Sequence, residues 1–219
     1  MKSFAKKIVQ FILKNFSTKV IGKFNPEIVA ITGSIGKTST KEAVAAVLSE
    51  RFDMRKTEGN LNTEIGVPLT ILGVNSIKKP YSIIRNTFFE KEYPKKLVLE
   101  MGADKPGDIK YLTSFVKPDI AIVTRVACSH LEKFCNLDGV AKEKGTLVES
   151  LDKDSWAILN YDDKYVRKMS RRTNAKVLSY GFKKQADIVA GEIKHSGKGL
   201  DFNVYYNGKK QNFHVNVVG

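Results

Sequence analysis

The stretch Glu27-Ile28-Val29-Ala30-Ile31-Thr32-Gly33-Ser34-Ile35-Gly36-Lys37-Thr38 decides the fold. Ile28 to Ile31 are apolar and mostly β-branched, which reads as a short buried strand. The strand runs into a glycine loop, and Lys37 to Glu50 then sets Ala43, Val44, Val47 and Leu48 on one face of a helix. In a strand–loop–helix unit of this kind, backbone N–H groups freed by glycine point at phosphate oxygens and the helix adds the positive end of its dipole. Gly33, Ser34 and Gly36 are therefore candidate phosphate binders. Lys37 is placed to reach the β and γ phosphates of a nucleotide, and Thr38 to offer its hydroxyl to Mg²⁺. Only two residues separate Gly33 from Gly36, so the loop departs from the general G-x-x-x-x-G-K-[ST] spacing. For the loop alone, a turn with a helix cap and no nucleotide is the alternative.

Further buried strands are expected at Leu97-Val98-Leu99, Ile120 to Val123, Ala157-Ile158-Leu159 and Lys176-Val177-Leu178. Their nearly unbroken apolar character suits parallel strands covered on both faces. Helical patterns fall between them at Gly107 to Phe115, Gly139 to Leu151 and Asp163 to Arg171. This alternation predicts an α/β fold with a doubly wound, mostly parallel sheet. From Ala186 the style changes. Ile188 to Ile193, Leu200 to Tyr206 and Phe213 to Val218 are separated by His195-Ser196-Gly197-Lys198-Gly199 and Asn207-Gly208, which predicts an appended antiparallel meander. The expected organisation is an N-terminal helix over 1–24 and one domain over 25–219, with its core at 25–185 and the β extension at 186–219.

The 219 residues suffice for one well-buried domain. Hydrophobic residues at 42% and charged residues at 27% exclude wholesale disorder and low-complexity fibres. A net charge of +14 favours an anionic partner: nucleic acid, a lipid surface or phosphorylated small molecules. Two cysteines, Cys128 and Cys135, argue against a disulfide scaffold and fit a reducing, intracellular compartment. Cys128-Ser129-His130 with Cys135 lacks the paired spacing of a zinc site. Lys209, Lys210, Tyr205 and Tyr206 read as a solvated sheet face, so nucleic acid is not the expected partner.

Residues 1–24 form a predicted basic amphipathic helix. Lys2, Lys6, Lys7, Lys14, Lys19 and Lys23 precede the first acidic residue, Glu27, while Phe4, Ile8, Phe11, Ile12 and Phe16 recur at helical spacing. The leading expectation is that this apolar stripe packs on the domain and the lysines are solvated. Peripheral contact with an anionic membrane is the second, and import targeting the third.

Five more segments point the same way as the loop. Thr32 to Thr38 resembles the short Thr-Gly-Ser-x-Gly-Lys-Thr loop of the Mur ligase superfamily. Glu58 to Thr70, with Gly59, Asn60, Asn62, Gly66 and Pro68, is similar to a segment of the branch that adds D-alanyl-D-alanine to a UDP-muramoyl tripeptide. Glu100-Met101-Gly102-Ala103, Ser129-His130-Leu131-Glu132, Ala141-Lys142-Glu143-Lys144-Gly145 and Asn160-Tyr161-Asp162-Asp163 follow in family order. The resemblance spans roughly residues 27–219 and implies the central ATP-binding domain of an ATP-dependent carbon–nitrogen ligase in peptidoglycan-precursor synthesis.

What it implies for the site is specific. Thr38, Glu100, His130 and Lys144 are the implied ligands of two Mg²⁺ ions, Lys144 after carbamylation by CO₂. Lys37, Lys144 and His130 are the implied catalytic set, Asn160 the adenine reader, and Asn60 and Asn62 substrate contacts. Carbamylation needs a neutral amine, so the site must depress the lysine pKa by burial or neighbouring cations. The implied partners are ATP, a UDP-muramoyl peptide or other carboxylate acceptor, and an amine donor. Two departures stand out: Thr124-Arg125-Val126-Ala127 replaces the family's Thr-Asn-Val-Gly, and Thr146 stands where an acidic residue is usual. The family's N-terminal and C-terminal substrate domains have no counterpart within residues 1–219. A nucleotide-binding module without ligase activity, membrane-associated or not, and a polyglutamate-type ligase are the alternatives. A phosphate-loop NTPase of another family is disfavoured by the Gly59 and Asn160 segments.

Overall fold

The computed structural model describes residues 2–128, 134, 136–197 and 199–216. Its elements are α1 (Lys2–Phe24), β1 (Glu27–Thr32), α2 (Lys37–Ser49), β2 (Met54–Lys56), α3 (Gly66–Ile71), α4 (Pro80–Phe88), β3 (Lys96–Glu100), α5 (Asp108–Thr113), β4 (Ile120–Val123), α6 (Leu137–Glu149), β5 (Trp156–Asn160), α7 (Lys164–Lys168), a 3₁₀ turn (Met169–Arg172), β6 (Lys176–Gly181), β7 (Ile188–Ser196), β8 (Gly199–Tyr206) and β9 (Lys209–Val215). The strands form one nine-stranded sheet in the order β2-β3-β1-β4-β5-β6-β7-β8-β9. Pairing is parallel as far as β7 and antiparallel for β7–β8 and β8–β9. The expected doubly wound sheet and appended meander are both present.

β1 lies between β3 and β4, so the chain leaves its carboxyl end for one side of the sheet and later returns to the other. Open α/β sheets bind ligands at such a switch point. The register places Ile31 opposite Glu100 and Thr32 opposite Val123, which brings the ends of β3 and β4 against the glycine loop.

The two faces are covered unequally. On one, Val29, Ile31, Val98 and Ile122 pack under Val44 and Leu48 of α2. On the other, a larger core joins Leu97 and Leu99 of β3, Ala121 of β4 and Leu159 of β5 to α1, α3, α5, α6 and α7. Helix α2 differs from its sequence pattern: Ala43 and Val47 are exposed, and its fully buried side chains are Lys41 and Ala45.

Helix α1 corrects a second expectation. The side chains that dock on the domain are Leu13, Ser17 and Val20, with the Ser17 hydroxyl donating to the Pro68 carbonyl. Of the predicted stripe only Phe16 packs against the core, while Phe4, Ile8, Phe11 and Ile12 face outward. The helix is apolar on two faces, and the small Ser17 lets the other one approach α3. Among the described residues no helix is long and apolar enough to cross a membrane. At the far end Glu192, on a bulge of β7, accepts from Tyr205 and pairs with Lys210 on the exposed meander.

Candidate functional site

The glycine loop is fixed by its neighbours before any ligand arrives. Gly36 has φ 84°, a left-handed conformation that side chains rarely adopt, and it starts α2. Gly33 is needed for a different reason: a Cβ there would lie 1.9 Å from the Thr124 hydroxyl. That hydroxyl donates to the Ile35 carbonyl at 2.7 Å, and Ser34 donates through its backbone N–H to Arg125 O at 2.6 Å and through its hydroxyl to Ala127 O at 3.0 Å. The Thr124–Ala127 segment, where the sequence departs from the family pattern, is therefore the strut under the loop, and its backbone does most of the holding.

Glu100 ends β3 and is 2% exposed. A carboxylate this deep must be hydrogen-bonded or paired. Thr38 Oγ1 donates to Glu100 Oε2 at 3.0 Å, Asn62 Nδ2 donates to Oε1 at 2.9 Å, and the Glu100 backbone N–H donates to Thr57 Oγ1 at 3.0 Å. Lys41, one helical turn beyond Lys37, brings its buried ammonium to 3.9 Å from Glu100 Oε2 and 3.1 Å from Glu42 Oε1. Glu42 pairs in turn with Lys56 on β2. The donor set of a carboxylate with a hydroxyl against it suits a hard cation such as Mg²⁺. Asn62 turns its amide toward Glu100, whereas Asn60 lies exposed on the loop before α3.

Lys144 projects from α6 into the same region. Gly33, Ser34, Lys37, Asn62, Gly102, Ala103, Asp104 and Lys144 line one cleft of about 120 Å³. Lys144 is buried, and that burial, reinforced by the Lys37 cation and opposed by Glu143, pushes its pKa down to about 8. This is the depression that carbamylation chemistry requires. Glu143 is itself committed elsewhere: its carboxylate accepts from the backbone N–H groups of Gly107 at 2.8 Å and Ile109 at 2.7 Å, capping α5 and fixing α6 beside it. Lys37 Nζ rests on the Ser34 carbonyl at 3.3 Å, over the loop it would share with a phosphate.

A second cleft of about 440 Å³ opens beyond β4 and β5, lined by Arg125, Val126, Asn160, Asp162, Asp163, Lys164, Tyr165 and Phe182. Asn160 Nδ2 donates to Thr124 O at 2.8 Å and Oδ1 accepts from Asp162 N at 2.9 Å. One N–H and one lone pair of its amide are left for a base edge. Asp163 caps α7 through the N–H groups of Tyr165 and Val166, and its other oxygen accepts from Val126 N at 2.9 Å. One residue thus ties the base cleft to the strut under the phosphate loop.

The structure thus brings Gly33, Ser34, Gly36, Lys37, Thr38, Asn62, Glu100 and Lys144 together and sets Asn160 in the adjoining cleft. His130 lies outside the described residues, as does Cys135. Lys41 and Thr57 escaped sequence reasoning. The available signal for Lys41 was its i+4 spacing from Lys37 on the face that also carries Ala45.

The sequence matches the Mur ligase middle domain over residues 31–219. A UDP-N-acetylmuramoyl-tripeptide–D-alanyl-D-alanine ligase of Buchnera aphidicola is 36% identical over 207 residues, covering 90% of this chain and 41% of that protein. A crystal structure of MurF from Acinetobacter baumannii superposes with a TM-score of 0.81 at 23% identity, covering 96% of this chain and 43% of that one. The MurF ligase of Thermotoga maritima in complex with ADP gives 0.79 at 27% identity, with 94% and 44% covered. The chain spans about two fifths of the length of these relatives.

Proposed function

Because the chain belongs to the Mur ligase family, matching its middle domain, we propose that it is the ATP-binding unit of an ATP-dependent amide ligase in peptidoglycan-precursor synthesis. One observation carries the reading. At the switch point of the sheet a phosphate-type loop and a lysine with a depressed pKa line one cleft, and Asn62 on its wall holds, together with Thr38, a buried carboxylate behind it. The Thermotoga relative, solved with ADP, supports adenine nucleotide as the ligand.

In this reading the amides of residues 33–38 and the Lys37 ammonium bind the β and γ phosphates. The adenine lies in the cleft beside Asn160, Tyr165 and Phe182. Thr38 and Glu100 would hold Mg²⁺, with Asn62 fixing the carboxylate's orientation, and His130 and carbamylated Lys144 are assigned to a second ion. Bound Mg²⁺ supplies charge neutralisation for the transferring phosphoryl group. An acceptor carboxylate oxygen bonds to the γ-phosphorus as the bond to ADP breaks, giving an acyl phosphate. An amine then adds at the carbonyl carbon, loses a proton and expels phosphate. The loop amides and Lys37 stay fixed while negative charge grows on the transferring group, so they need no reorganisation at the moment of reaction. The proposed acceptor is a UDP-muramoyl peptide, with Asn60 on its side of the site. The assigned compartment is the cytoplasm, with peripheral contact at the inner membrane face through residues 1–24.

Amide hydrogen exchange with and without Mg-ADP tests the reading. Protection should appear in two separate segments, 33–38 and 160–166. An exchange pattern unchanged across 33–38 at saturating nucleotide would overturn it.

A further inference from the structure

The outward face of α1 does not end with that helix. Phe16 meets Phe88 of α4 edge to face, with ring centroids 5.5 Å apart, and the Lys19 ammonium sits 4.2 Å from the centre of the Phe88 ring. From this junction Ile12, Ile8 and Phe4 continue along α1 at four-residue spacing, with Phe11 beside them. Ile84 and Tyr81 continue along α4, four and seven residues before Phe88, on the same face of that helix. Phe4, Phe11 and Tyr81 are 72%, 67% and 78% exposed. Two packed helices thus present one apolar surface that covers nothing in the described chain.

Its charge is one-sided. Neither α1 nor α4 contains an acidic residue. Lys7, Lys19 and Lys23 on α1 and Lys78 just before α4 are exposed, Lys19 at the junction itself. A second copy of this +14 chain would set lysine against lysine across the contact. An anionic lipid surface matches both properties. The rings and branched chains enter the boundary between headgroups and acyl chains, and the ammonium groups stay among phosphates. Lysine stems reach outward from such a face without burying their charge.

We propose that α1 and α4 together form a docking surface for an anionic membrane, which would hold the nucleotide site at the inner leaflet. This extends the contact assigned to residues 1–24 to a second helix more than fifty residues later in the chain. Binding to lipid needs no nucleotide, so the outcome is separable from that of the ATP-site reading.

The test is co-sedimentation of the whole chain with vesicles of phosphatidylglycerol mixed with phosphatidylcholine, against phosphatidylcholine alone, at low and high salt. Partitioning should require phosphatidylglycerol and weaken with salt. The double variant Phe4→Ser/Phe11→Ser should lower it roughly tenfold or more, and Tyr81→Ser/Ile84→Ser severalfold, with melting curves unchanged because these side chains are exposed. Absence of binding at low salt overturns the proposal. So does binding lost with lysine substitutions but indifferent to both apolar variants, which would be adsorption of a basic protein. An α4 variant without effect removes α4 from the surface. A dimer in sedimentation velocity that Phe11→Ser dissolves would assign the face to a second copy instead.

Discussion

Replacing Lys144 with methionine should make the protein more stable at neutral pH. Lys144 is 3% exposed, and burial with the Lys37 charge beside it lowers its pKa from 10.5 to about 8. The unfolded chain therefore keeps this proton up to pH 10.5, whereas the folded chain releases it near pH 8. Below pH 8 the folded state carries the full penalty. Between the two values unfolding takes up a proton, so stability rises with pH across that window. At about 1.4 kcal/mol per unit, the shift corresponds to a cost of up to about 3 kcal/mol. Methionine keeps the length of the side chain without its charge. The expected gain at pH 7 is about 1–3 kcal/mol, and at roughly 2–4 °C per kcal/mol for a chain of this size it raises Tm by several degrees. Thermal melts of both forms in bicarbonate-free buffer from pH 7 to 10 should show the gap closing as pH rises. A methionine variant that is less stable at pH 7, or a gap that does not change with pH, would refute the reasoning. The lysine would then have a carboxylate partner, and its retention would need no functional explanation.

Two further perturbations probe the same centre. Lys41→Met leaves Glu100 buried without its nearby cation, so the variant should melt below wild type in chelator and recover more than wild type does on adding Mg²⁺ with ADP; equal gains for the two forms would show that Lys41 does not balance this carboxylate. Gly33→Ala drives a methyl group into the Thr124 hydroxyl and should cost about 1–3 kcal/mol in urea unfolding while displacing the loop and weakening ATP binding; wild-type stability and affinity together would contradict the strut described for residues 124–127.

The central strands were legible because burial on both faces leaves an unbroken apolar run. The pattern located Ile120–Val123 to the residue and β5 to within one residue at each end. β2, α3 and α4 were not read. β2 has three residues, two of them basic, and α3 is buried all round, which erases helical periodicity. The apolar residues of α4 are split between core and solvent, with Ile83 buried and Ile84 exposed. In α1 periodicity found an apolar stripe but could not say which of two faces the core would take. At the site, Gly33 to Thr38 announced themselves by local sequence. Glu100 could be read as a strand-end carboxylate at the ligand edge of an open sheet, whereas Lys144 gained meaning only through the resemblance, since a helical lysine looks ordinary until the fold brings it beside the loop. Lys41 was not singled out at all, because its partner Glu100 is fifty-nine residues away in sequence.

The most direct measurement is calorimetric titration of the chain with ATP in excess Mg²⁺, run in parallel on Lys37→Ala. The wild-type chain should bind one nucleotide. The variant, keeping its fold by circular dichroism, should bind at least roughly tenfold more weakly, a loss of about 1.4 kcal/mol or more. Equal affinity in the two forms, or no heat of binding from a folded wild-type chain, would contradict the assignment of residues 33–38 as the phosphate site.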